Sequence, residues 1–221
     1  MQHLHSATPC LATETRFSAG DTSEHATHRF KYLRAMGLQY HDLSDATVRA
    51  RMEQEWSIEW AHLLDAYGPR ECYGKQLSDA GWKAFGELMP KALLEHDDDW
   101  LAETMDHHSF WESHLWRRAK PVEYDRIDAI EKLCVGEFNI AYIRGLALTL
   151  LDEGEEQCIV YRAGGAAEQR GECTSWEESP VSLQQVVDGH RIRYHPAPGD
   201  RMAFSIPTGP HCHHSIRGIA A

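Results

Sequence analysis

The densest group of metal-ligating side chains in this sequence is the run His211-Cys-His-His214. Three imidazoles and one thiol within four positions are ligands that zinc and iron accept, and zinc needs about four of them at tetrahedral corners. The full candidate set, which includes residues upstream, is Cys173, His190, His195, His211, Cys212, His213 and His214. Adjacent ligands cannot all face one ion, and no Cys-x-x-Cys pair occurs, so a polar loop stiffened by prolines is the alternative. A zinc site, with iron as the alternative metal, is the chemical interpretation of this run, whereas the absence of a standard ligand spacing favours the polar loop.

Titratable side chains also crowd the segment 98–118, which the apolar spacing predicts to be one helix. Its members are Glu103, His107, His108, Glu112 and His114. Upstream, Glu59 and His62 have the Glu-x-x-His spacing of di-iron carboxylate bundles, but those bundles need a second copy of the motif. Residues three or four apart on a helix pair readily with one another. We therefore interpret both groups as exposed, ion-paired helix faces.

A nucleophile is also conceivable in the C-terminal run. Cys212 lies between His211 and His213, and a nearby imidazolium lowers the pKa of a thiol. Neighbours in sequence rarely meet with the geometry that a nucleophile and its base require. The sequence contains no Gly-x-Ser-x-Gly elbow, no phosphate-binding glycine-rich loop and no dinucleotide fingerprint. These absences disfavour the common hydrolase, kinase and dehydrogenase classes.

The charge is distributed unevenly along the 221 residues. Residues 1–156 carry 16 Lys and Arg against 28 Asp and Glu, whereas residues 157–221 carry six of each. An acidic surface repels a phosphate backbone, so nucleic acid is an improbable partner of the acidic part and other protein subunits are the expected partners. The candidates for an anionic partner are Arg162, Arg170, Arg191, Arg193 and Arg201.

The expected compartment is the cytoplasm. No run of 18–20 consecutive apolar residues occurs, and the first thirty residues have no basic start followed by an apolar run, so neither a membrane partner nor a secretory signal is expected. The six cysteines are widely and irregularly spaced, which favours free thiols in a reducing compartment. We expect Cys134 and Cys158 to be buried.

The elements that must position these residues are mainly helices. Residues 1–28 have little apolar periodicity, which predicts a disordered or loosely attached arm. Apolar residues at spacings of three and four predict helices over 45–67 with a Ser44 cap, after Ser78 with a break or kink at Pro90, over 98–118, and over 125–152 with a stop at Gly154. We assign residues 29–156 to a helical bundle.

The character of the sequence changes after Gly154. Residues 158–161, 191–194 and 202–206 are predicted strands, and a short helix is predicted from a Ser182 cap through Val187, ended by Gly189. Residues 157–221 then form a small, loop-rich unit that has too few apolar residues to fold unaided. The predicted fold class is α+β, with this β-containing unit packed on the last long helix.

The C-terminal 85 or so residues resemble the C-terminal domain of phage head-morphogenesis (minor capsid) proteins. The resemblance runs from Glu137-Phe-Asn-Ile-Ala-Tyr-Ile-Arg-Gly145 through Glu172-Cys173, Glu177 and Asp188-Gly-His190 to the closing Pro-His-Cys-His-His. Only Cys173 stands where that family has two cysteines, and His214 stands where it has a last cysteine. The resemblance implies that Cys173, Cys212, His213 and His214 tie the small unit together.

Three functions follow from these patterns. The first is a non-enzymatic assembly protein similar to phage or prophage minor head proteins, with the Cys/His cluster stabilising the C-terminal unit. The second is a zinc- or iron-dependent enzyme in which three ligands hold a water and Glu172 or Glu177 serves as general base. The third is a helical interaction module whose exposed tryptophans anchor a partner. We expect most tryptophans to be in the core instead, because Trp56, Trp82 and Trp111 fit the inner helix stripes.

Overall fold

The computed structural model describes residues 38–67, 76–118, 120–164, 176–190 and 213–219. Its helices are α1 (Ala46–Tyr67), α2 (Asp79–Glu95), α3 (Asp98–Met105), α4 (Arg126–Asp152) and α5 (Leu183–His190). Its strands are β1 (Leu115–Arg117), β2 (Lys120–Val122), β3 (Gln157–Arg162), β4 (Pro180–Ser182) and β5 (His214–Gly218). Helices therefore dominate the N-terminal part and a small antiparallel sheet follows, which confirms the predicted α+β class. The predicted arm at 1–28 and the predicted strands at 191–194 and 202–206 lie outside the described residues.

The first two helices begin and end close to the predicted positions. The cap of α1 is Asp45, whose carboxylate accepts a 2.6 Å hydrogen bond from the Thr47 amide, rather than the predicted Ser44. Ser78 caps α2 as predicted, since its hydroxyl accepts from the Gly81 amide at 3.1 Å. The α2 helix continues through Pro90 to Glu95, so it does not restart at the proline.

The predicted helix over 98–118 is wrong beyond Met105. At Asp106 the backbone leaves the helical region, with φ −75° and ψ 47°, and a 3-10 turn follows at His108–Phe110. The Glu112 amide then donates to the Gln76 carbonyl at 2.7 Å, which pulls the chain away from a helical path. The segment ends in the β1–β2 hairpin, whose turn includes Arg118 at φ 49°. The helix face predicted for His107, His108, Glu112 and His114 therefore does not exist, whereas Glu103 does lie on α3.

The long helix α4 is the central element of the fold. Asp125 caps it, and its hydrogen bonding switches to the π pattern over Glu131–Val135 before returning to α from Gly136. Gly154, at φ +89°, follows its end as predicted, because a left-handed conformation suits glycine. The helix is long and apolar enough to cross a membrane, but 72% of its most apolar window is buried inside the protein. A core helix meets the same length and composition criteria.

The three-stranded sheet has the order β4-β3-β5 with both pairings antiparallel. Strand β3 was predicted over 158–161, whereas β4 and β5 were not. Val160 pairs with Ile216 across β3 and β5, and Cys158 pairs with Val181 across β3 and β4. These side chains are buried and belong to the same apolar core as the helices. The sheet is thereby held against α4, which also contacts β5 and α5.

The contact between α1 and α4 is the most extensive one between helices. A Cβ built on Gly145 would lie 2.6 Å from the Met52 side chain and 2.7 Å from the Met52 backbone nitrogen, so glycine permits the close approach. Aromatic side chains fill the space between α1 and α2, where Trp56 stacks on Trp60 with ring centroids 5.1 Å apart. Trp56, Trp82 and Trp111 are buried, as predicted for core residues.

Candidate functional site

The two described histidines of the C-terminal run contact different elements. His213 immediately precedes β5, and His214 is the first residue of that strand. The ring nitrogen Nε2 of His213 lies 3.1 Å from Glu131 Oε1 in the π segment of α4. The Nε2 atom of His214 lies 2.9 Å from Glu177 Oε1, in the turn that precedes β4. Each imidazole thus joins β5 to a separate part of the fold.

Glu177 is held on two sides. Arg162 of β3 donates to Glu177 Oε1 from Nε at 3.0 Å and from a terminal nitrogen at 2.7 Å. The hydrogen bond from His214, followed by those from Arg162, holds the pKa of Glu177 below its ordinary value. A carboxylate stabilised in its ionised form by both a histidine and an arginine is a weak base. This arrangement suits a structural link better than the general base that the sequence suggested for Glu177.

Asn139 connects the same strand to α4 through the backbone. Its side chain is fully buried, and its Nδ2 atom donates a 2.8 Å hydrogen bond to the His214 carbonyl. Within the described residues, its Oδ1 atom is buried and has no hydrogen-bond partner. Asn139 lies one helical turn after the π segment, which rotates the following turns of α4 relative to the preceding ones. Glu131, at the start of the π segment, and Asn139, beyond its end, therefore both connect α4 to the start of β5.

A buried ion pair fastens the other end of this region. Arg144 of α4 pairs with Glu59 of α1, and both side chains are almost completely buried. The second terminal nitrogen of Arg144 donates to the His190 carbonyl at 2.8 Å, at the end of α5. One guanidinium thus joins α1, α4 and α5. The prediction that Glu59 belongs to an exposed face is wrong. Arg144 was not predicted to be functional, although it is the single charged residue in the run 138–148.

The seven candidate metal ligands divide into two groups. Cys173, His195, His211 and Cys212 lie outside the described residues. His190 and His214 both lie against α4, with their carbonyls bonded to Arg144 and Asn139 respectively. Those two helix positions are separated by about 7.5 Å along the axis. In the ranges that the structure describes, no three His, Cys, Asp or Glu side chains converge as a metal site would require.

His213 nevertheless has the hydrogen-bonding pattern of a metal-ligating histidine. A carboxylate, Glu131, engages one ring nitrogen, as carboxylates commonly do behind a metal-bound imidazole. The other nitrogen, Nδ1, is buried and has no hydrogen-bond partner among the described residues. It lies 3.5 Å from the position that a Cβ on Gly164 would occupy, so glycine keeps that side open. The buried Nδ1 atom is therefore the described atom that is best placed to ligate a metal ion.

The remaining candidate groups are dispersed. The His107 ring bonds the Ser109 hydroxyl at 2.7 Å, and the His114 ring bonds the Ser113 hydroxyl at 2.9 Å, so both make short-range contacts in the segment after α3. Cys134 and Cys158 are buried free thiols, as predicted. Burial raises the pKa of the Cys158 thiol to about 12, which makes it a poor nucleophile at neutral pH.

A cleft of about 130 Å³ opens beside the π segment of α4. Its lining residues are Gln76, Leu77, Trp111, Ala129, Lys132, Leu133 and Glu137. None of the candidate metal ligands is among them. The described histidine contacts and this cleft are therefore separate features.

Comparison with known proteins returned no match of any kind: no family model, no curated protein and no solved structure is similar to this chain. The functional argument consequently depends on the geometry described above.

Proposed function

We propose that this protein is a non-enzymatic assembly protein, similar to phage or prophage minor head proteins, that acts through contacts with other protein subunits. In this proposal the C-terminal unit is a rigid attachment on a helical core. The Cys/His cluster stabilises that unit rather than transforming a substrate.

The observation that supports a structural role is the engagement of β5 on several sides. His213 bonds Glu131, His214 bonds Glu177, and the His214 carbonyl accepts from Asn139. Side chains that are buried and hydrogen-bonded in this way fix the position of a strand. An acid or base that turns over needs access to substrate, and the His214 side chain is only 9% exposed.

The charge of the chain supports protein partners. The net charge is −12, and the excess of carboxylates lies in residues 1–156. Arg162, one of the five arginines considered for an anionic partner, is already paired with Glu177. Contact with other protein subunits, in the cytoplasm where heads assemble, is therefore the mode of action that we propose.

Co-expression with the proteins encoded by the genes adjoining its own tests this proposal. We expect the full chain to sediment with particles far larger than its own 25.2 kDa, and we expect Cys212→Ser to reduce that incorporation. A chain that remains at the top of the gradient, with wild-type and variant alike, would contradict an assembly role.

A zinc- or iron-dependent enzyme is the second candidate. The observation that favours it is the buried Nδ1 atom of His213, which has no hydrogen-bond partner within the described part of the chain. The other protein ligands would come from Cys173, His195, His211 and Cys212. A metal held by three protein ligands would also bind a water and lower the pKa of that water. X-ray absorption at the metal edge distinguishes the two candidates. Four protein ligands support the structural role, whereas three ligands and an oxygen support the enzyme.

A helical interaction module requires several exposed tryptophans on one face. Among the tryptophans whose exposure the structure describes, Trp176 is the exposed one, at 45%. This distribution does not favour the third hypothesis.

A further inference from the structure

Residues 38–42, which we name the anchor segment, contact α3, α4 and the end of β3. The Gln39 amide donates to the Ala163 carbonyl at 2.8 Å, so the segment adds to the end of β3. The Tyr161 hydroxyl returns a bond to the Gln39 carbonyl at 2.6 Å. On α4, the Tyr142 hydroxyl accepts from the Asp42 amide at 3.3 Å. These bonds attach residues 39 and 42 to the sheet and to the central helix.

Asp98 is the third attachment point and the one that can change its charge. Its Oδ2 atom accepts from the Leu38 amide at 3.0 Å and from the Tyr40 hydroxyl at 3.3 Å. The Tyr40 ring packs on α4, with its centroid 4.6 Å from that of Tyr142. Asp98 itself is 1% exposed, and the anchor segment contributes two of the hydrogen bonds to its carboxylate. Release of the anchor segment would therefore remove both bonds and open this side of the carboxyl group to water.

The groups around Asp98 do not include a described cation. Asp97 and Asp99 flank it on α3, Tyr40 contacts it from the anchor segment, and the Cys134 thiol faces it from the π segment of α4. No ion pair among the described residues includes Asp98. A charge at this position is consequently buried, and hydrogen bonds from Leu38, Tyr40 and its own backbone amide are what compensate it.

Burial, with further contributions from the charges of Asp99 and Asp97, raises the pKa of Asp98 from 3.8 to about 7, against the lowering effect of the Leu38 amide. Asp98 therefore binds a proton more tightly when the anchor segment lies on the protein (the docked state) than when the segment has detached (the released state). Docking is at full strength below pH 4 and weakens as the pH rises from 4 to 7. Each pKa unit is a factor of ten, so the opening equilibrium can shift by up to roughly a thousand-fold.

We propose that Asp98 is a pH-sensitive latch, which holds the anchor segment 38–42 on the protein when protonated and loosens it when ionised. The latch is independent of the assembly role proposed above, since it involves none of the C-terminal histidines.

Hydrogen exchange measured by mass spectrometry tests the latch on the full chain between pH 5 and pH 8. After correction for intrinsic exchange rates, we expect protection of residues 38–42 to fall at least ten-fold in the wild type. In Asp98→Asn, which keeps an oxygen acceptor but cannot ionise, we expect that fall to disappear. The exposed Asp65→Asn is the matched control and should behave as the wild type does. Parallel curves for Asp98→Asn and the wild type would overturn the proposal.

Two further readouts distinguish the latch from general instability. Peptides of α4 should keep their protection across the same pH range, and their simultaneous loss in the wild type would instead indicate global unfolding. Tyr40→Phe removes the hydroxyl that donates to Asp98 while keeping the ring. We expect it to reduce protection of the anchor segment more at pH 8 than at pH 5, because the ionised carboxyl depends more on its donors. Equal losses at both pH values would also overturn the proposal.

Discussion

Replacing Arg144 by methionine removes the cation from an ion pair whose two side chains are 2% and 1% exposed. Methionine preserves most of the length and apolar bulk of the arginine stem, so the substitution mainly deletes the charge and its hydrogen bonds. Breaking a buried pair from one side costs roughly 3–5 kcal/mol, because the remaining Glu59 carboxylate stays in a poorly solvated position. The bond from Arg144 to the His190 carbonyl is lost at the same time.

The chain offers a matched control between the same two helices. Arg51 of α1 pairs with Asp152 of α4, but these side chains are 31% and 64% exposed. Exposed ion pairs contribute about 0–1 kcal/mol, since water and salt screen the charges. Arg51→Met should therefore change the free energy of unfolding by less than about 1 kcal/mol.

Urea unfolding followed by circular dichroism measures both variants. We expect Arg144→Met to be less stable than Arg51→Met by at least about 2 kcal/mol, the gap between the two ranges. At about 2–4 °C per kcal/mol for a chain of this size, the loss of 3–5 kcal/mol corresponds to a decrease in Tm of about 6–20 °C. Equal stability of the two variants would refute the reasoning, because it would mean that the buried guanidinium does not join α1 to α4.

Two other predictions concern packing and thiol chemistry. Gly145→Ala should lower the free energy of unfolding by roughly 1–3 kcal/mol, because the added Cβ would meet the Met52 backbone. Gly136→Ala, whose added Cβ would have nothing within 4 Å, should instead raise it by about 0.5–1 kcal/mol. Thermal unfolding measures both variants, and increased stability in both would contradict the packing of Gly145 on Met52. Cys134 and Cys158 should react with iodoacetamide at pH 8 at least about a hundred-fold more slowly in the native protein than in urea, because burial raises the pKa of both thiols. Peptide mass spectrometry quantifies the labelling of each cysteine. Rapid labelling of the native protein would contradict the burial of these thiols.

The helices with strong local signals were predictable from the sequence. The stop at Gly154 and the start after Ser78 follow from backbone conformation and capping, which are local properties. The helix over 98–118 was wrongly predicted beyond Met105 because Met105 and Trp111 are both buried and fit a helical spacing. They are buried by different elements, since Trp111 bridges to Leu77 and its indole donates to the Met105 carbonyl. Periodicity reports burial but does not specify which element achieves it.

The polar contacts around β5 were less accessible to sequence reasoning. His213 and His214 were identified by their chemistry, but their partners Glu131 and Glu177 are 82 and 37 residues away. Arg144 and Glu59 are 85 residues apart, so only the chain topology brings them together. A single arginine in the mainly apolar run 140–148 was the available signal, because a charge on the buried face of a helix needs a partner. Identifying that partner required the packing of α1 on α4.

Elemental analysis of the purified full chain tests the central claim, that the Cys/His cluster stabilises the C-terminal unit. We predict about one zinc or iron per chain, retained through gel filtration at neutral pH. We also predict that the metal is lost in Cys212→Ser and in a His213→Gln variant, with a lower Tm in both. Absence of metal from the wild type, or full retention with an unchanged Tm in both variants, would contradict the account.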